Sequence, residues 1–183
     1  MPVSVDWQAV EDAIFEQGME EFPQIAADNP DRRIYCVFFD CDIVYTCAQA
    51  HMNTDEGLRE YAESAISTSP NLYKDHTVES LMEEFRWDGG GFRMFQIFEG
   101  PELTELNAAY QQLYDEIETE AERQLNEPFM EACCRAVTRL DRAGAFQEFQ
   151  KRCDFRILVV YIQETVEEGE ARMNRIASEM DAG

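Results

Sequence analysis

The sequence predicts an α+β fold: a mixed or mainly antiparallel sheet of about four strands, packed by amphipathic helices. Three observations lead there. Apolar residues recur at three- and four-residue spacing along several long segments. Short β-branched and aromatic runs interrupt them. The resulting order is helix, two strands, two helices, strand, two helices, strand, helix, which suits one sheet covered by helices. A chain of 183 residues fits a single domain spanning 1–183. At that length it buries roughly two-thirds of its unfolded surface and needs no covalent staple.

The elements follow in order. Trp7, Val10, Ile14 and Phe22 form one stripe of an opening helix, with Glu11, Asp12, Glu16, Glu20 and Glu21 between them. Pro23 and then Asn29-Pro30 are expected to stop it. Ile34 to Phe39 and Ile43 to Cys47 read as a hairpin turning at Asp40-Cys41-Asp42, at the centre of the sheet. Asn53 is the expected cap of the next helix, with Glu56 three residues on, and Leu58, Tyr61 and Ala65 as its buried face. After a polar loop, Val78, Leu81, Met82 and Phe85 mark a short helix. Phe92 to Phe98 follows as a third strand, beyond the Gly89-Gly90-Gly91 break.

Pro101 to Glu127 reads as the longest helix, with Leu103, Leu106, Tyr110, Leu113 and Ile117 in one stripe. A second helix, from about Phe129 to Ala143, carries Cys133, Val137 and Leu140, with Gly144 as its cap. Phe155 to Ile162 is a near-continuous apolar strand, and Met173, Ile176 and Met180 mark the last helix.

Composition narrows the function classes. The apolar runs are strand-length, so no membrane span is expected. The start of the chain, Met1 to Trp7, is short of positive charge and quickly becomes acidic, unlike a secretory signal or transit peptide, so a cytoplasmic protein is expected. Six cysteines, Cys36, Cys41, Cys47, Cys133, Cys134 and Cys153, read as free thiols. The vicinal Cys133-Cys134 pair admits either packing or a redox role. Net charge is −23, unevenly spread. Residues 1–31 hold eight acids and no Lys or Arg, and residues 101–127 hold eight acids against Arg123. Residues 128–162 carry Arg135, Arg139, Arg142, Lys151, Arg152 and Arg156 against four acids. Broad binding to nucleic-acid phosphate is excluded by that balance, whereas a basic partner is favoured. The rival account of the acidity is solubility or adaptation to high salt.

No catalytic constellation stands out. Only His51 and His76 are available to a nucleophilic site, and neither has a supporting signature. The triple glycine lacks the Lys-Ser or Lys-Thr of a phosphate loop. Cys36, Cys41, Cys47 and His51 are spaced too widely for a zinc knuckle. Asp40 and Asp42 are explained by a turn as readily as by a metal. The chain reads as a binding protein rather than an enzyme, with no cofactor.

Asn53-Thr54-Asp55-Glu56, set after an apolar strand pair and followed by Arg86-Trp87, resembles a family of small bacterial domains of unknown function. Its members are encoded near polymorphic toxins and regarded as immunity proteins. The resemblance extends to Gly144-x-Phe146, the late apolar strand and the acidic last helix, and departs from the family in the glycine-rich stretch after Trp87. It implies an immunity-type protein that binds and neutralises a cognate bacterial toxin, a nuclease effector for example, by covering its active surface. The charge adds that this toxin is basic. The expected partner-binding residues are Glu11, Asp12, Glu16, Glu20, Glu21, Asp115, Glu116, Glu118, Glu120 and Glu122. The alternative is a structural or regulatory oligomerisation module, a homodimer built on the Leu103 to Ile117 stripe.

Overall fold

The computed structural model describes residues 4–87, 97–98, 100–114, 118–161 and 164–182, without the side chains of residues 97 and 118–120. The order of elements is the expected one. Helix α1 spans Trp7–Asp28, strands β1 and β2 Arg33–Asp42 and Cys47–Thr54, helices α2 and α3 Asp55–Thr68 and Val78–Phe85. Strand β3 is Ile97–Phe98, helices α4 and α5 are Thr104–Tyr114 and Glu118–Ala143, strand β4 is Gln150–Val160 and helix α6 Val166–Ala182. The sheet order is β3-β2-β1-β4. β2 runs antiparallel to both β1 and β3, and β4 runs parallel to β1, so the sheet is mixed: three long strands with the two-residue β3 at one edge. No helix among the described residues is long and apolar enough to cross a membrane.

Two layers of helices cover the sheet. Ile34, Val37, Phe39 and Cys41 of β1 join a large core with residues of α1, α4, α5 and α6. Tyr35, Cys36 and Phe38 join a smaller core with Leu58 and Ala62 of α2 and Leu81 and Phe85 of α3. A central strand buried on both faces explains the unbroken apolar run in the sequence. Phe22 of α1 anchors the large core, its ring centroid 4.9 Å from Phe98, 4.8 Å from Phe146 and 5.8 Å from Phe39. Burying one such ring contributes about 2 kcal/mol.

Several boundaries differ from those expected. α1 does not stop at Pro23 but passes through it to Asp28, and α5 passes through Pro128. A proline removes one N–H from the ladder, and in α1 the buried Phe22, Ile25 and Ala26 hold the turns on either side. No break falls at Pro128, where one helix was expected to give way to the next; α4 is described to Tyr114 and α5 from Glu118, and residues 115–117 lie outside the described residues. The hairpin turns at residues 43–46, with the Asp42 carboxylate accepting the Val44 N–H at 2.7 Å and Thr46 at φ 48°. The turn expected at Asp40-Cys41-Asp42 is therefore displaced: these three residues end strand β1 opposite Gln49, Ala48 and Cys47, and Ile43 is a buried turn residue rather than the start of a strand. Thr54, not Asn53, caps α2 by accepting the Gly57 N–H at 3.1 Å. Of the face expected for α2, Leu58 is buried, with Ala62 beside it, while Tyr61 and Ala65 are half-buried. Of the third expected strand only Ile97–Phe98 is described as strand; residues 92–96 lie outside the described residues.

Gly144 caps α5 as expected. At φ 85° its N–H reaches the Asp141 carbonyl while the Ala145 N–H reaches that of Leu140, both at 3.0 Å.

Candidate functional site

The predicted binding residues divide sharply once folded. Glu11 faces α5 and is 5% exposed; it accepts from Arg135 Nε at 3.1 Å and Arg139 Nη1 at 2.7 Å. Asp12 accepts from the same Arg139 Nη1 at 2.6 Å, and this bond, helped by one from Gln8, holds its carboxyl below the usual range. Phe15, one turn on, lies under the Arg139 guanidinium at 4.2 Å. Glu11 is therefore removed from the predicted partner surface, because a carboxylate buried between two guanidinia is satisfied inside the fold. Glu21 is half-buried and accepts from Gln17 at 2.6 Å. Asp115, Glu116 and the side chains of Glu118 and Glu120 lie outside the described residues, and Glu122 is half-buried.

Much of the charge polarity seen along the sequence is thus spent internally. Besides Arg135 and Arg139, Arg142 pairs with Asp181 at 2.7 Å and Arg156 with Glu170 at 2.7 Å, while Arg152 binds Asp55 and reaches Asp154 at 3.0 Å. Arg175 of α6 contacts Glu127 and Glu131 of α5 at 3.3 and 2.9 Å.

What remains outward on α1 is a stripe. Asp6, Ala9, Glu16 and Glu20 are exposed and Ala13 is half-exposed, and their spacing of three and four places them on one helix face. Neither the Glu16 nor the Glu20 side chain makes a hydrogen bond or ion pair among the described residues. At its N-terminal end the stripe borders a groove of about 200 Å³ between α1 and the start of α4, floored by Val10, Leu103 and Leu106 and edged by Asp6, Glu102 and Glu105. The Leu103, Leu106, Tyr110 and Leu113 stripe of α4 is buried in the chain's own core, which leaves only the edge of Leu103 and Leu106 to this groove.

A second polar assembly lies on the other side of the sheet, at an irregularity in β1 and β4. Ile34 pairs with Lys151 but Cys36 pairs with Arg156, so Tyr35 alone stands opposite residues 152–155. Such bulges re-aim side chains. Here Arg152 and Asp154 turn onto Asp55 and Arg86: Arg86 Nη2 donates to Asp154 at 2.7 Å and Nη1 to Asp55 at 3.2 Å. The Arg86 guanidinium stacks over Tyr35 at 4.4 Å, Arg156 covers Trp87 at 4.6 Å, and Asn53 donates to the Tyr35 hydroxyl at 3.1 Å. Burial alone would raise the Asp154 carboxyl, but the bonds from Arg152 and Arg86 outweigh it and leave it lowered. The two motifs that carried the family resemblance, around Asn53-Asp55 and Arg86-Trp87, thus meet in space. The adjoining groove of about 400 Å³ is lined by Met82 and by charged side chains, of which Arg59 pairs with Glu79 and both Arg86 and Arg152 with Asp55, while Glu56 and Glu83 make no ion pair among the described residues. Ligand sites of that size are mostly apolar with a few convergent polar groups, and this groove reads as a brace joining α2, α3 and β4.

The thiols are mainly interior. Cys36, Cys41, Cys133 and Cys134 are buried, Cys47 is half-buried and Cys153 exposed on the bulge. Contact with Cys133 and then burial push Cys41 well up, burial pushes Cys134 up to about 12, and burial with Asp42 pushes Cys47 up to about 11. Such thiols are poor nucleophiles. Among the described residues no three His, Cys, Asp or Glu side chains group so as to hold a metal. Comparison with protein-family models, with curated proteins and with solved structures finds no match to this chain.

Proposed function

We propose that this chain is an immunity-type protein that binds a basic protein partner, a bacterial toxin, and neutralises it by covering its active surface. The observation that supports the reading is the division of α1. Its inner acids are satisfied by α5 arginines, whereas Glu16 and Glu20 are exposed and, among the described residues, unpaired, on a face that ends in an apolar groove edged by carboxylates. Charge left over after the fold has satisfied itself is available to steer a basic partner and to fix its register. An ordinary interface of about 1,600 Å² extends beyond this stripe. The oligomerisation reading loses the face offered for it, since Leu103, Leu106, Tyr110 and Leu113 are buried within the chain; Ile117 lies outside the described residues.

Co-expression with the product of the adjacent gene tests the proposal. A toxic product whose toxicity is relieved, and which co-purifies in a complex that high salt weakens, is the expected result. Failure to bind or protect would overturn it.

A further inference from the structure

The geometry points to the groove between α1 and α4 as an anchor site for one large apolar side chain of the partner, flanked in that partner by Lys or Arg. The inference rests on the proposal above and names the chemistry that this part of the surface recognises. Val5, Ala9, Val10, Ala13, Leu103 and Leu106 line it together with Thr104, so apart from its acidic residues the cleft is mainly apolar. Leu106 and Val10 are almost completely covered, whereas Ala9 stands exposed at the rim.

About 200 Å³ is too little for a drug-sized ligand, whose sites run from about 300 Å³, and suits a single protruding side chain of the kind that dominates interface energetics. Every charged residue lining the groove is acidic: Asp6, Glu102 and Glu105. Glu102 and Glu105 make no ion pair or side-chain hydrogen bond among the described residues, so their charge is not neutralised by the fold. An apolar residue entering alone would gain nothing from that rim, and an acidic neighbour would be repelled. A residue bracketed by Lys or Arg satisfies both floor and rim. The groove is also continuous with the Glu16 and Glu20 stripe, since Ala9 and Ala13 precede those residues at helical spacing, so one extended basic segment can lie along both.

Amide NMR of the full chain with synthetic peptides tests this. The probe is a short peptide with one Leu between two Lys on either side; the controls replace Leu by Ser, or Lys by Glu. The Leu peptide is expected to shift the amides of Ala9, Ala13, Leu103 and Leu106, and to bind about tenfold or more tightly than the Ser peptide, the worth of burying one Leu. Ala9→Trp, which fills the cleft from an exposed position, is expected to abolish the preference for Leu. The Glu102→Lys/Glu105→Lys variant is expected to weaken binding of both Lys peptides. Equal binding of the Leu and Ser peptides along α1 would overturn the anchor while leaving a basic partner intact, and binding of neither would remove both ideas. Equal binding of the Glu-flanked peptide, or groove shifts that depend on protein concentration alone and so mark a second copy, would overturn the anchor as well.

Discussion

Glu11 and Glu16 sit five residues apart on α1 and look alike in the sequence, yet the fold uses them oppositely. Glu11 is buried and held by two arginines brought from α5, more than a hundred residues away, while Glu16 faces outward. Neither arginine can be associated with Glu11 from local spacing, which is why sequence reasoning placed Glu11 on the binding surface. Losing one partner of a buried pair costs several kcal/mol; here Arg135 and Arg139 are about 30% exposed, so water takes up part of the loss. Glu11→Gln is expected to lower stability by about 2 kcal/mol in urea unfolding, whereas Glu16→Gln and Glu20→Gln stay within about 0.5 kcal/mol, as surface changes do. The cysteines were more legible, because small apolar surroundings announced their burial. With Ellman's reagent at pH 8, one thiol, Cys153, is expected to react quickly in the native protein and all six in denaturant. Three or more fast thiols would contradict the packing described for Cys41, Cys133 and Cys134.

At the scale of elements, periodicity placed all six helices and the three long strands in order, because a buried stripe must repeat at 3.6 or 2 residues. Punctuation was less dependable. Pro23 and Pro128 lie inside α1 and α5 because packing on both sides outweighs one missing hydrogen bond. The β1–β2 turn escapes sequence reading because its residues, Ile43, Val44, Tyr45 and Thr46, carry none of the usual turn signals and include three β-branched side chains typical of strands. The Gly144 cap is legible in the sequence because a left-handed cap has a strong residue preference. Gly144→Ala forces an alanine to φ 85°, a cost of about 1 kcal/mol. Thermal unfolding of that variant is expected to come about 3 °C lower; an unchanged midpoint would mean that the cap is remodelled. The brace of Arg86, Asp55, Arg152 and Asp154 had no sequence signal, since its members come from three elements and meet only where residues 152–155 leave the ladder.

For the whole molecule, the acid-rich and arginine-rich segments are not two exposed poles. α1 lies against α5, and the first pole partly neutralises the second. Among the described residues the binding argument therefore rests on the outer stripe of α1 and the groove at its end, while Asp115, Glu116 and the side chains of Glu118 and Glu120 lie outside them. Its most direct test is titration calorimetry of the adjacent gene's product against the wild-type protein and against Glu16→Lys/Glu20→Lys, at low and high salt. The account predicts salt-sensitive binding by the wild type and a loss of about tenfold or more in the variant, which stays folded because both positions are exposed and unpaired among the described residues. No binding, or equal and salt-independent binding by both proteins, would contradict it.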